Sequence, residues 1–179
     1  GEQHIQASLS RLAALIGTTR FESHLMRSRS VLGITPNLST LGSAVSVMIS
    51  GVRLDFRRLR TDIELLPAQA QRLREDLNLP HMDLPPLDVE HGLQQLAVFE
   101  QKYQDTRLGT ENARAAFEDY FLPQLRAVYN DVEQQLQTWH QAVLAPLSAR
   151  LQKEQQAFEQ RRSSVQLVEN ALQQQHARI

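Results

Sequence analysis

Apolar residues recur every three or four positions over the last third of the chain, and this spacing limits the fold more than any other feature. Such spacing places the side chains on one face of an α-helix. The series comprises Phe117, Phe121, Leu125, Val128, Val132, Leu136, Trp139, Val143, Leu147 and Leu151, then Phe158, Val165, Val168 and Leu172 at lower density. A continuous helix of about 55 residues would be on the order of 80 Å long, so we expect an elongated molecule.

Two earlier series have the same spacing. One runs from Leu38 to Leu66 and predicts a long helix with a narrow, coiled-coil-like seam. We expect Gly33 to end the helix before it, Thr35 to cap it, and Pro36 to occupy its first position. The other series predicts a helix that carries Val89, Leu93, Leu96, Phe99 and Tyr103. At the N-terminus, Ile5, Leu9, Leu12 and Ile16 predict an amphipathic helix that runs on towards Leu32.

Prolines and caps divide these helices. Pro67, Pro123 and Pro146 lie within the apolar series, where each removes a backbone donor and crowds the preceding turn, so we expect kinks or short breaks. Residues 78–87 contain three further prolines and predict a non-helical connector. Asp88 is a good N-cap for the helix after it, and Thr110 is expected to cap the last one.

Composition agrees with an all-helical chain. Glycine and proline number only 7 each among 179 residues, and no segment shows the alternation typical of strands. The fold class predicted is all-α: an elongated antiparallel bundle of about four long helices, kinked at prolines, forming one domain over residues 1–179. Because Gly1 is not a start methionine, we expect a fragment of a larger protein.

Charge argues against nucleic acid as a partner. The net charge is only -1, but residues 1–80 carry ten basic and seven acidic side chains, whereas residues 81–179 carry nine and thirteen. An antiparallel bundle could bring these oppositely charged halves face to face. Because the chain has no cysteine, thiol nucleophiles and Cys-based zinc sites are excluded.

Motifs for catalysis or cofactor binding are absent from the sequence. The six histidines form no HExxH or HxH pattern, and neither a phosphate-binding glycine loop nor a GxSxG elbow occurs. The nearest approach to a metal or acid/base cluster is His81, Asp83, Asp88, Glu90 and His91, for which an exposed loop with an Asp cap is the simpler interpretation. We therefore expect no cofactor and no enzyme activity in this fragment.

A basic cluster is the one candidate contact site. It comprises Arg53, Arg57, Arg58 and Arg60. One interpretation is contact with lipid phosphates or with an acidic partner helix. The other, favoured by the neighbouring acids, is a solvated face paired with Asp55, Asp62 and Glu64.

Small residues in the segment before this cluster suggest close helix packing. Residues 41–52 include Gly42, Ser43, Ala44, Ser46, Ser50 and Gly51. They would let another helix approach closely, and the segment is too short to span a bilayer. Trp139 lies on the predicted seam, where its indole N–H would need a partner.

The C-terminal third resembles the C-terminal helical region of bacterial dynamin-like GTPases, which remodel membranes. The resemblance rests on Trp139, on Val143 to Leu147 with its Ala-Pro-Leu, and on the pair Arg161-Arg162. It implies a helical neck or stalk that acts as lever and assembly surface, with GTP bound only by a domain outside this chain. The implied location is cytoplasmic, peripheral at the inner membrane, with partners being this protein itself, another helical protein or a membrane surface.

The sequence is also compatible with two other classes of protein. A four-helix ligand-binding sensor domain of a bacterial receptor would be periplasmic, between transmembrane helices. A coiled-coil adaptor would act only by binding helices of a partner.

Overall fold

The computed structural model describes residues 18–105 and 112–177, together with Ala7. The helix expected around Ile5 to Ile16 and the helix boundary expected at residues 108–110 lie outside this part of the chain. All regular structure within the described ranges is helical, as predicted.

Within residues 18–105, the structure has four helices. They are α1 (Thr18–Leu32), α2 (Leu38–Ile63), α3 (Leu66–Asp76) and α4 (Val89–Asp105). The last helix runs without interruption through residues 113–177, which is roughly 95 Å at 1.5 Å per residue. It comprises α5 (Ala113–Ala115), a π-helical segment (Ala116–Phe121), α6 (Leu122–Trp139), a second π-helical segment (His140–Leu144) and α7 (Ala145–Ala177).

At the boundary between α1 and α2, the predicted end of α1 is confirmed, but the predicted cap of α2 is wrong. Gly33 ends α1 with a φ of 80°, and its N–H donates to the Arg29 carbonyl at 3.1 Å. The cap of α2, however, is Asn37 and not Thr35. The Asn37 side chain accepts from the Thr40 N–H, while the Thr40 hydroxyl accepts from the Asn37 N–H. This reciprocal pair satisfies two otherwise unpaired donors, so the helix begins at Leu38.

The prolines are accommodated in two ways. Pro67 lies in the first turn of α3, where its missing N–H costs little, and it thereby separates α3 from α2. Pro123 and Pro146 are the second residues of α6 and α7. Each of these two segments directly follows a π-helical segment. Because proline has no N–H, the carbonyl four residues before it lacks its usual α-helical donor. These carbonyls belong to Asp119 and Ala142, and both residues lie in the π-helical segments. The wider π-helical turn therefore occurs where the α-helical hydrogen bond is lost.

Contacts between neighbouring helices follow reversed order along the chain. Residues near the start of one helix contact residues near the end of the helix beside it. The pairs that show this are Arg20–Asp55 and Ser28–Ala44 for α1 with α2, Arg53–Glu100 and Arg60–Glu90 for α2 with α4, and Glu22–Arg126 and Arg29–Glu118 for α1 with the last helix.

Apolar side chains of all these helices share one core. Two aromatic groups occupy it: Phe21 and Phe56 lie against Tyr129, whereas Phe99 lies against Phe121 with a centroid distance of 5.2 Å. The seam predicted for α2 is buried from Leu41 onward, including Met48, Val52, Phe56 and Leu59, whereas Leu38 at its start is 50% exposed.

The connector is non-helical, as predicted, but it is not merely an exposed loop. Its polar residues His81 and Asp83 are exposed, whereas Leu79, Met82, Leu84 and Leu87 pack against the core. The indole N–H of Trp139 donates to the Pro85 carbonyl at 2.7 Å. The partner that Trp139 was expected to need is therefore supplied by the connector.

The last helix extends beyond this core. Leu147 is buried and Leu151 is partly buried, and every residue from 152 to 177 except Ala157 is exposed. We call residues 152–177 the arm. It is roughly 39 Å of single helix.

Candidate interaction surface

The arm carries a row of exposed apolar side chains along one side. Phe158, Val165, Val168 and Leu172 are 64%, 56%, 59% and 55% exposed. At 100° per residue they lie within an arc of about 80°. Large apolar groups that share a face and remain more than half exposed are typical of a surface that another molecule covers.

This row continues one that is buried in the core. Leu144, Leu151, Phe158, Val165 and Leu172 follow one another at intervals of seven residues. The first is buried, the second is partly buried and the other three are exposed. A seven-residue apolar repeat is typical of a helix that packs along another helix, so the arm has the pattern of a packed helix without a described neighbour on that side.

The remaining sides of the arm are polar. Seven of its glutamines, at positions 152, 155, 156, 160, 166, 173 and 174, lie off the row and are exposed. Leu167 is also exposed, at 69%, but it lies on the side opposite the row. These polar side chains therefore face solvent on the sides of the arm away from the row.

The predicted basic cluster is divided by the fold. Arg53 forms an ion pair with Glu100, and Arg60 forms one with Glu90 at 2.8 Å, both on α4 of the same chain. Arg57 and Arg58 are exposed. Two of the four arginines thus contact an acidic helix within the chain, and two face outward.

The interpretation that pairs the basic cluster with Asp55 is wrong for this residue. Its side chain is fully buried and faces α1, where it accepts from Arg20 at 2.8 Å and from His24 Nε2 at 2.7 Å. The other ring nitrogen of His24, Nδ1, is contacted by Arg27. Because Arg27 can only donate, Nδ1 is the accepting nitrogen and Nε2 carries the proton that Asp55 accepts.

Burial and hydrogen bonding act in opposite directions on this carboxylate. Burial alone would raise the pKa of Asp55, but hydrogen bonds from His24 and Arg20 outweigh it and lower the pKa below its ordinary value. Burial, with the nearby charge of Asp55, raises the pKa of Tyr129. The cluster is therefore a closed polar contact that joins α1 to α2.

A signal for this cluster was present in the sequence. Asp55 lies three residues after Val52 and four before Leu59, so it shares their face of α2. The sequence thus shows that Asp55 lies on the apolar face of α2. Its partners, 31 and 35 residues earlier, depend on the register of α1 against α2 and do not follow from local spacing.

Close packing in residues 41–52 involves only some of the small residues. Ala44 accepts a hydrogen bond from the Ser28 hydroxyl at 2.6 Å, and a Cβ added at Gly51 would lie 2.5 Å from His24 Nδ1. Gly42, Ser43, Ser46 and Ser50 are exposed instead. The expected close approach is therefore confined to two positions on the face towards α1.

No helix within the described part of the chain is both long and apolar enough to cross a membrane. Nor does that part of the chain bring three or more His, Asp or Glu side chains together in a way that could hold a metal ion.

Comparison with known proteins gives no match: no family model, no curated protein and no solved structure is similar to this chain.

Proposed function

We propose that this chain is a non-catalytic helical assembly module, an elongated antiparallel bundle kinked at its prolines, whose arm docks onto another helix. In this role it resembles the neck or stalk of a bacterial dynamin-like GTPase, and GTP would be bound only by a domain outside the chain. The protein would be cytoplasmic and peripheral at the inner membrane.

The exposed row on the arm is the observation that carries this proposal. A single helix with polar sides gains little stability alone, and most helical stability in proteins comes from packing of an apolar face. The row at Phe158, Val165, Val168 and Leu172 offers such a face to a helical partner. The reversed order of the contacts among α1, α2, α4 and the last helix supports the antiparallel bundle that would hold the arm outward.

Membrane contact would involve Arg57 and Arg58. Both are exposed, whereas Arg53 and Arg60 form ion pairs with Glu100 and Glu90 of α4. Two arginines supply an electrostatic attraction to an anionic surface of only about 1 kcal/mol each, so this contact would assist anchoring and not provide it alone.

The genomic sequence on either side of this chain tests the proposed class. A phosphate-binding glycine loop encoded upstream supports a GTPase neck. Hydrophobic spans on both sides would instead support the receptor sensor domain and would refute the proposal.

Small-angle scattering tests the architecture. A compact chain of this length has a radius of gyration of about 16 Å, and the proposed bundle with its arm should lie well above that value. A compact value would contradict the elongated module.

Co-sedimentation with anionic liposomes tests the two arginines. We expect Arg57→Glu with Arg58→Glu to weaken binding, while Arg72→Glu, exposed on α3, serves as a control of equal charge change per residue. Binding that is absent or unaltered removes Arg57 and Arg58 as lipid contacts.

A further inference from the structure

We infer that the partner of the arm is the arm of a second copy of this chain, and that the two pair as an antiparallel coiled coil centred between Val165 and Val168. This inference rests on the proposed function as an assembly module and names its partner.

The row on the arm has the two parallel lines of positions that a two-helix seam needs. One line holds Phe158, Val165 and Leu172, at seven-residue intervals. The second line lies three residues further along at each step and holds Glu154, Arg161, Val168 and Gln175. Alternating steps of three and four residues along one side of a helix form the seam of a two-stranded coiled coil.

The seam is continuous with the core of the same chain. Leu144 and Leu147 occupy the two lines within the bundle, where they are buried at 1% and 0% exposure. Leu151 then marks the transition to the arm. A second helix laid on the arm would therefore extend a packing surface that already exists in the bundle.

Parallel pairing of two arms is opposed by charge. In a parallel coiled coil with matched register, each residue of the seam faces its own copy. Glu154 and Arg161 both lie on the second line, so each would meet a like charge. Like charges brought together at a contact are destabilising.

Antiparallel pairing removes both contacts between like charges. When Val165 faces Val168 of the second copy, two-fold symmetry makes Val168 face Val165 as well. Arg161 then lies opposite Leu172, whose surface the aliphatic stem of an arginine can cover.

The same register brings opposite charges together beside the central layers. Arg162 and Glu169 flank the row. In this register, Arg162 of each copy lies opposite Glu169 of the other copy, so the contact occurs twice. They are seven residues apart, so they cannot reach each other within one helix. The register thus supplies each with a partner in the second copy.

The net charge of the arm also favours self-association. Lys153, Arg161 and Arg162 balance Glu154, Glu159 and Glu169, so two arms meet without net repulsion. A strongly acidic or basic partner would find no complementary excess of charge on the arm.

Sedimentation equilibrium of the full chain between about 1 µM and 1 mM tests this pairing. We expect a monomer–dimer equilibrium, and Val168→Glu should raise its dissociation constant by about tenfold or more, since it places a charge in the seam. Leu167→Glu is the matched control, because it alters an equally apolar, more exposed residue on the opposite side. It should leave the dissociation constant within about threefold, and circular dichroism should show both variants folded.

Charge reversal tests the register. Arg162→Glu and Glu169→Arg should each weaken the dimer, and the double variant should restore it, because both pairs are re-formed with their signs exchanged. A merely structural role for either residue would not produce this rescue.

Spin labels measure the direction of pairing directly, because the chain has no cysteine and any introduced one is unique. For antiparallel pairing, labels at Gln152→Cys should lie about 45 Å apart, and labels at Gln166→Cys much closer. Parallel pairing would give short distances at both positions.

Several outcomes overturn the inference. A chain that stays monomeric over the whole range, equal effects of Val168→Glu and Leu167→Glu, or short distances at both labels would each refute it. If Val168→Glu lowers thermal stability in a chain that is monomeric, the row is covered within one copy and the inference is refuted. All these results test whether a second copy is the partner. The proposed function is tested separately, by the flanking genomic sequence and by small-angle scattering.

Discussion

His24 Nε2 donates to the Asp55 carboxylate at 2.7 Å in the interior of the protein, between α1 and α2. The Asp55 side chain is fully buried, and the side chain of His24 is 6% exposed. Arg20 adds two hydrogen bonds to the same carboxylate, from Nε at 3.0 Å and from a terminal nitrogen at 2.8 Å. A buried carboxylate held from two sides fixes the register of the two helices, because shifting either one would leave a buried charge without its partners.

Asp55→Asn should therefore lower the free energy of unfolding by about 2 kcal/mol, and Asp55→Ala by about 4 kcal/mol. Asparagine retains an oxygen that can accept from His24, whereas alanine leaves both His24 and Arg20 unpaired. The loss stays moderate for asparagine because Arg20 is 35% exposed and can turn to water. Urea denaturation measures these values, and Asp62→Asn, exposed on the same helix, should change stability by less than about 0.5 kcal/mol. Equal effects at positions 55 and 62 would contradict the role of the buried contact.

Stability should also fall in acid through Asp55. Its pKa in the folded protein is below that in the unfolded chain, which is about 3.9. As the pH falls, the unfolded chain binds the proton first, so the stabilisation is complete above about pH 5 and is lost as the pH falls through the lower folded value. Denaturant midpoints measured from pH 7 down to pH 3 should fall less steeply for Asp55→Asn than for the unmodified chain.

Glu118 provides the comparison for that experiment. Its hydrogen bond from Arg29 lowers its pKa despite partial burial, so the direction is the same. Its ion pair is partly exposed and solvent screens it, hence Glu118→Gln should flatten the pH dependence less than Asp55→Asn. A larger effect at Glu118 would show that the acid sensitivity does not arise mainly from the buried cluster.

Two glycines of α2 should respond to alanine with opposite sign. At Gly51 a Cβ would lie 2.5 Å from His24 Nδ1 and 2.7 Å from Cγ, so the ring or the helix must move. We expect Gly51→Ala to destabilise by about 1–3 kcal/mol. At Gly42 nothing lies within 4 Å, and Gly42→Ala should stabilise by about 0.5–1 kcal/mol through helix propensity. Thermal unfolding of the two variants decides this, and a stabilising Gly51→Ala would mean that α1 packs less closely than the structure shows.

Local spacing was sufficient to predict most of the helices. The seam of α2, the cap at Asp88 and the non-helical connector follow from apolar periodicity, short polar side chains and proline, all of which act within a few residues. The Asp88 carboxylate accepts from the His91 N–H at 3.0 Å, as the cap requires. Where two good caps lie close together, as at Thr35 and Asn37, spacing alone did not decide between them.

Contacts between helices were less predictable, because they depend on register over long sequence separations. The opposite charges of the two halves allow them to face each other in an antiparallel bundle, and the pairs Arg29–Glu118, Arg53–Glu100 and Arg60–Glu90 join the two halves. Which arginine would find a partner was not readable. Likewise, the spacing through Phe158 and Leu172 continues that of the core, but it does not show that the side chains there lie outside the bundle.

Trp139→Phe should loosen the connector more than it disturbs the helices. Trp139 is 1% exposed, and its indole N–H is the group that binds the Pro85 carbonyl. Phenylalanine keeps most of the apolar contact but leaves that carbonyl unpaired, a loss of about 1–3 kcal/mol. We expect faster proteolysis within residues 78–87 and little change in helical circular dichroism. Val128→Ala, a partly buried change elsewhere on α6, is the control for a general loss of stability. If both variants are cleaved equally fast in the connector, the Trp139 hydrogen bond does not hold it.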